Sequence, residues 1–200
     1  MKKILILLIF FLSPMIILNN EIDKDNRYIT VEEENFVTNY YLLFELKKEL
    51  NELFEDINNF DVNDINPRHL LFMEEHRIKH DIPKSIFYRL ILKESWFNEN
   101  AISRVGAKGY MQIMPNTFEF IKIKFEFPGA DIDCPYDNIK LGTKYLSYNW
   151  DKINERYLHD SDDMKWRRVL ASYNAGYSDH LVAMHRYNET IEYIKFVLNN

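Results

Sequence analysis

The sequence predicts a mainly α-helical fold, and three observations carry that expectation. Glycine and proline are scarce, five and six in 200 residues, which disfavours sheet-rich folds built on many tight turns. Apolar residues recur at helical spacing, as in Leu42, Leu43, Leu46, Leu50 and Leu53. Prolines stand where helices would open, Pro83 ahead of KSIFYRLILKESW and Pro115 ahead of NTFEFIKIKF. The chain is 46% hydrophobic and 28% charged, the balance of a globular protein rather than a disordered one. Its aromatic content of 15% suits a filled core or a groove lined with rings.

Each element can be justified in order. Residues 1–20 begin with Lys2 and Lys3, run apolar from Ile4 to Leu12, and resume after Ser13 and Pro14. Charged start, short greasy centre and polar exit are the plan of an export signal. The greasy stretch is shorter than the roughly 20 residues of a spanning helix. Asn19 and Asn20 make a poor cleavage site, so the segment reads as a signal peptide or a retained membrane anchor. Residues 21–65 read as a charged linker followed by one amphipathic helix over 35–60, packed on the main domain or on a protein partner. An Asp-, Asn- and Pro-rich break covers 61–67. From residue 66 to 200 the pattern predicts helices over 68–80, 83–96, 115–125, 137–152, 164–173 and 187–198. Asp81 and Asp137 are the expected caps of the second and fourth, and GAKGYMQI a turn with a short extended piece.

Composition excludes several functions. The net charge is −6 with no basic stripe, so nucleic acid is not an expected partner. Cys134 is the one cysteine, so no intrachain disulfide forms, and its turn-rich setting reads as a passive loop thiol. Among the histidines only His76 and His80 fall at i, i+4. That pair is more often a solvated helix face than a metal site, so no metal and no cofactor are expected.

The chemistry concentrates in KESWFNENAISRVGAKGYMQIMPNT, residues 93–117. Phe87, Leu90, Ile91 and Glu94 fall at i, i+3, i+4 and i+7, so Glu94 shares a stripe with residues that must face the core. A carboxyl held there is desolvated and its pKa rises, the property of a general acid. The same position also suits a buried glutamate paired with Arg89, Arg104 or Lys108, or a helix-end glutamate turned outward. Gly106 and Gly109 permit a reversal that would return Gln112 and Met114 to the helix end. Gln112 offers an amide to a ligand hydroxyl or acetamido group, and Met114 a soft apolar contact. Downstream, Tyr173 and Asn174 stand at a helix end stopped by Gly176. Read singly, they are equally a core tyrosine and a capping asparagine.

Four ordered blocks now carry a resemblance: ESWFNENAISRVGAKGYMQIMPNT, DNIKLGTKYL, LASYNAG and YNETIEYIKFV. Together they resemble the catalytic domain of the soluble lytic murein transglycosylases, in the lysozyme-like superfamily, over residues 66–200. The resemblance implies a goose-type-lysozyme-like helical fold around a glycan cleft, here preceded by the extra N-terminal helix. It implies cleavage of the β-1,4 bond between N-acetylmuramic acid and N-acetylglucosamine in peptidoglycan, with attack by the muramyl C6 hydroxyl to give a 1,6-anhydro ring. The family's acid/base falls on Glu94 and its serine partner on Ser103. Its substrate contacts fall on Gln112, Met114, Tyr173, Asn174, Glu189 and Tyr193. Tyr110 departs from the usual leucine, a change expected in a subsite wall, and YSDHLVAMHR departs from the usual Pro- and Gly-containing segment. Other carboxylates, Glu99, Asp131, Asp133 and Asp137, lie off any apolar stripe and read as solvated. The substrate's own acetamido oxygen then replaces a second carboxylate. A hydrolase on the same fold, or a low-turnover wall-binding factor, are the competing readings. The implied location is outside the cytoplasmic membrane, in the periplasm or cell envelope, free or membrane-anchored.

Overall fold

The computed structural model describes residues 31–176 and 184–199. The export-signal reading of residues 1–20, the linker, His180 and most of YSDHLVAMHR lie outside them. Residues Leu42–Asn200 make one compact unit, and Met1–Tyr41 are assigned to another. Among the described residues the regular structure is helical. Helix α1 spans Val31–Leu53, α2 Pro67–Lys79, α3 Lys84–Ser95 and α4 Pro115–Lys124. Helix α5 spans Pro135–Arg156, α6 Asp162–Ala175 and α7 Asn188–Leu198, with a 3₁₀ turn at Val62–Asp64.

Helix α3 is the axis of the larger unit. Every residue from Ile86 to Leu92 is buried, together with Ser95, so the middle of this helix is enclosed on all sides, while Ser85 and Lys93 near its ends are exposed. Helix α7 packs on α3 and on α6, α6 on α5, and α5 on α2 and α4. One continuous apolar core joins them, from Leu46, Leu50 and Phe54 to Ile194 and Val197. The second half of α1 is therefore built into the same core as α3. A buried cation fixes the join: Arg89, 3% exposed, donates through Nη2 to Leu53 O at 2.9 Å and to Asp56 Oδ1 at 2.7 Å.

Three local expectations need correction. The first helix stops at Leu53 rather than near residue 60. Asn58, Asn59 and Asp61 follow, residues whose short polar side chains compete with helical bonding. Asn59 takes a left-handed φ of 63°, and Asp61 caps the 3₁₀ turn instead. Asp81 does not cap α3: it is left-handed, with φ 49°, and Pro83 is the N-cap residue. Asp137 does not cap α5, because Cys134 holds that place and Pro135 opens the helix. Its Oδ2 instead accepts from Asp131 N at 2.9 Å, tying down the loop ahead of the helix.

Between α3 and α4 the chain folds back without strands, held by bridges Ile102–Lys108 and Lys108–Ile113. Gly109 makes this possible. It takes φ 73°, and a Cβ there would overlap the Asn138 side-chain amide. Alanine at 109 adds left-handed strain of about 1 kcal/mol to that overlap. We expect Gly109→Ala to lower stability by about 3 kcal/mol, read by chemical denaturation.

Candidate active site

Glu94 occupies the last turn of α3, and its surroundings come from three other parts of the chain. The end of the helix is tied to the returning loop by Ser95, whose Oγ donates to Tyr110 O at 2.8 Å and also lies 3.2 Å from Ile91 O. The chain then leaves abruptly, because Trp96 and Phe97 are both left-handed, with φ 53° and 56°. Two consecutive bulky residues in that region carry strain that the surrounding packing must hold.

Glu94 is partly open to solvent, but its carboxyl is crowded by protein atoms. Burial pushes its pKa from 4.5 up to about 7, and the Tyr193 hydroxyl and Lys93 pull back only in part. Tyr193 Oη donates to Glu94 Oε1 at 2.6 Å, across 99 residues of chain. The tyrosine is itself 3% exposed; burial, then the neighbouring carboxylate, holds its hydroxyl well above its ordinary range. Tyr173 is raised for the same two reasons, and its Oη donates to Met111 O at 2.8 Å. Glu94 from α3, Tyr173 from α6 and Tyr193 from α7 thus face one another. Of the cations suggested as partners, Arg89 turns to Asp56 and Lys108 Nζ holds Asp133 at 2.8 Å. Glu94 has a tyrosine for its partner instead.

The other expected site residues are placed as follows. Ser103 sits in a turn, its Oγ accepting from Ala107 N at 3.0 Å. Gln112 takes φ 44°, and its Nε2 donates to Ala101 O at 2.9 Å and Gly109 O at 3.0 Å. Both amide hydrogens are thereby used within the loop, leaving Oε1 for a ligand donor. Met114, exposed, precedes α4 as its N-cap residue. Asn174, exposed near the end of α6, accepts from Thr190 Oγ1 at 2.7 Å, and Gly176 ends that helix with φ 87°. Glu189 is exposed in the first turn of α7.

Tyr110 corrects an expectation. It is not part of an open wall but 2% exposed. Its hydroxyl lies 2.9 Å from His69 Nδ1 and donates to Glu99 Oε2 at 3.3 Å. A buried phenol needs a polar partner, and His69 on α2 supplies one. Glu99 is consequently engaged rather than merely solvated, also lying 2.9 Å from His69 Nδ1. The pair at i, i+4 on α2 is less solvated than expected, since His76 is buried and its pKa falls to about 4 through that burial and nearby cations. Among the described residues no group of three or more metal-type ligands gathers.

Sequence reasoning missed Asn138, fully buried, which supports the returning loop. Its Oδ1 accepts from Met111 N at 3.0 Å, while Nδ2 donates to Lys108 O at 2.9 Å and Ile132 O at 3.4 Å. It also missed Tyr145, whose ring meets that of Tyr173 at 5.5 Å between centroids. Their signal was one of position: both lie within DNIKLGTKYL, one of the four blocks.

The sequence matches the Transglycosylase SLT domain over residues 72–195. It is 34% identical over 100 residues to the soluble lytic murein transglycosylase of Escherichia coli K12, covering 48% of this chain and 14% of that protein. It is 32% identical over 116 residues to the membrane-bound lytic murein transglycosylase C of Photorhabdus laumondii, covering 54% and 31%. In structure it is similar to the 70 kDa soluble lytic transglycosylase of E. coli, with TM-score 0.54 and 24% identity, covering 80% of this chain and 28% of that one. An inactive Glu-to-Gln mutant of the lytic transglycosylase Slt from Pseudomonas aeruginosa gives TM-score 0.54 at 23% identity, covering 79% and 28%. The likeness at this level is one of fold, and the chain spans under a third of each of these relatives. Because the domain match takes in well over half of the sequence, the chain belongs to the Transglycosylase SLT family.

Proposed function

We propose that the protein cleaves peptidoglycan glycan strands as a lytic transglycosylase, with Glu94 serving first as acid and then as base. The observation that supports this most directly is a partly accessible carboxyl with a pKa of about 7, bonded to Tyr193. A general acid is most effective when its pKa lies near the working pH. Protonated Glu94 gives its proton to the glycosidic oxygen as the bond from C1 of N-acetylmuramic acid breaks. The sugar's acetamido oxygen stabilises the oxocarbenium centre, as in substrate-assisted glycosidases. Ionised Glu94 then takes the C6 hydroxyl proton while O6 bonds to C1. The proton balance closes, and no water is consumed. Intramolecular attack is favoured by effective molarity, so no activated water is needed. Ser103 orients the acetamido group, and Gln112, Met114, Tyr173, Asn174 and Glu189 hold the flanking sugars.

The decisive experiment digests purified sacculi and weighs the muropeptides. Anhydro ends, one water lighter than reducing ends, are expected; reducing ends alone would make the protein a hydrolase. Rate should fall as pH rises through about 7, where Glu94 loses its acid proton. Removing the Tyr193 hydroxyl takes a hydrogen bond from the ionised form and raises the Glu94 pKa further. Tyr193→Phe should therefore carry the alkaline limb of the pH–rate profile upward by about one unit.

Residues 1–20 support an export or anchoring role and, with it, a place in the cell envelope. No helix among the described residues is long and apolar enough to cross a membrane.

A further inference from the structure

The returning loop between α3 and α4 is gripped at Tyr110 by a polar group that takes no part in the reaction above. His69 Nδ1 lies 2.9 Å from Tyr110 Oη and 2.9 Å from Glu99 Oε2, and Tyr110 Oη donates to that same oxygen at 3.3 Å. A carboxylate has no hydrogen to give, so both neighbours must donate to it, which fixes the hydrogen on Nδ1. Tyr110 stays a donor, because burial, then the Glu99 carboxylate, hold its hydroxyl well above the ordinary range. Ring packing fixes the imidazole plane. Tyr136, on α5, meets it edge-on at 4.9 Å, and Phe72, on α2, meets Tyr136 at 5.0 Å. Helix α2, the segment after α3 and the returning loop thus converge on one point.

The backbone of Tyr110 faces the other way, toward the Glu94 site. Its carbonyl accepts from Ser95 Oγ, on the residue next to Glu94. The following carbonyl, Met111 O, accepts from Tyr173 Oη, and Gln112 comes after it. A leucine at 110, the residue usual in the family, would need neither histidine nor carboxylate, and His69 lies ahead of the matched stretch 72–195. We propose that His69 and Glu99 are positioning residues: they clamp the Tyr110 hydroxyl and so hold the returning loop against the last turn of α3, where it keeps Tyr173 facing Glu94. The inference rests on the reading of Glu94 as acid and base, and it adds a hold that acts through Tyr110 rather than on the sugar. Mere satisfaction of a buried phenol is the competing account, and it predicts a change in stability alone.

The test uses the full chain on soluble glycan strands, with rates taken per folded fraction from circular dichroism. Tyr110→Phe removes one oxygen and keeps the ring. Its kcat should fall about tenfold, with KM moved by no more than about twofold. His69→Ala should lose a similar amount, and the double variant no more than either single change, because both remove one unit. Glu99→Gln keeps an acceptor and should stay within about twofold of the native rate, whereas Glu99→Ala should not. The pH profile reads the same hold. A loosened loop admits water to Glu94, so its carboxyl is less desolvated and its pKa falls from about 7 toward 4.5. The groups facing that carboxyl, Tyr193, Tyr173 and Lys93, are unchanged by the substitution. The alkaline limb in Tyr110→Phe should therefore move down by about half a unit, opposite in direction to Tyr193→Phe. Unchanged kcat or an unmoved limb in Tyr110→Phe, whatever its thermal midpoint, would overturn the proposal, as would multiplying losses in the double variant. Nuclear magnetic resonance of carboxyl-labelled glutamate, with the Glu94 signal assigned by its loss in Glu94→Gln, separates the two readings without turnover. If the native chain cuts no glycan while Tyr110→Phe still lowers the pKa of that carboxyl, the acid/base reading falls and the clamp stands. If cleavage proceeds and Tyr110→Phe alters neither rate nor pKa, the clamp falls alone.

Discussion

Glu94→Gln should abolish glycan cleavage while making the fold more stable above neutral pH. Loss of a general acid costs 10² to 10⁴ in rate by that role alone, and here the same group serves both halves of the reaction. The stability gain follows from the sign of the pKa shift. The folded state holds the Glu94 proton up to about pH 7, whereas the unfolded chain releases it near 4.5. Between those values the folded state binds more protons, so stability falls as pH rises through the window and stays reduced above it. The full shift corresponds to about 3 kcal/mol, an upper bound for a partly accessible group. Glutamine keeps an acceptor for the Tyr193 hydroxyl and carries no charge. Denaturation at pH 8 should therefore show the variant about 1–3 kcal/mol more stable, and at pH 4 little different. Equal stabilities at pH 8, with normal sacculus lysis, would remove the basis for assigning Glu94 its role.

Asn138→Ala should destabilise the fold more than Gly109→Ala does. The side chain is fully buried and satisfies Met111 N, Lys108 O and Ile132 O together. Alanine removes the partners of Met111 N and Ile132 O, while Lys108 O keeps Ile113 N at 3.1 Å, and it opens a void against Gly109. Each unsatisfied buried group costs about 1–3 kcal/mol, so a loss of about 4 kcal/mol is expected in chemical denaturation. Activity should fall even in the fraction that remains folded. The loop that slackens carries the Met111 carbonyl, which takes the Tyr173 hydroxyl, and Gln112. Asn138→Asp is the informative companion. It retains the acceptor for Met111 N but turns an anionic oxygen toward the two carbonyls, so it should not rescue.

The helical class and most helix positions were legible because periodicity is a local property, and the placement of Glu94 on the stripe of Phe87, Leu90 and Ile91 followed from it. Partners were not legible. Tyr193 reaches Glu94 from 99 positions away, and nothing in the spacing of either residue announces the other. Arg89 illustrates the opposite error: five residues from Glu94, it seemed a natural counter-ion, yet it faces Leu53 and Asp56. Tyr110 was read by the company it keeps in sequence, but the need to satisfy its hydroxyl decides where it goes, and His69 lies 41 residues earlier. Caps failed where two candidates competed. Pro83 and Pro135 set the helix starts by backbone restriction, so Asp81 and Asp137 were free for other bonds.

The insertion of the second half of α1 into the core has a practical corollary. A fragment trimmed to the homologous stretch 72–195 would discard Leu46, Leu50, Phe54, Val62 and Ile65, all of them buried. It would also strand the Arg89 guanidinium in an apolar interior with both of its acceptors gone. The stretch matched by the family model and the stretch that builds the core are therefore different lengths of chain.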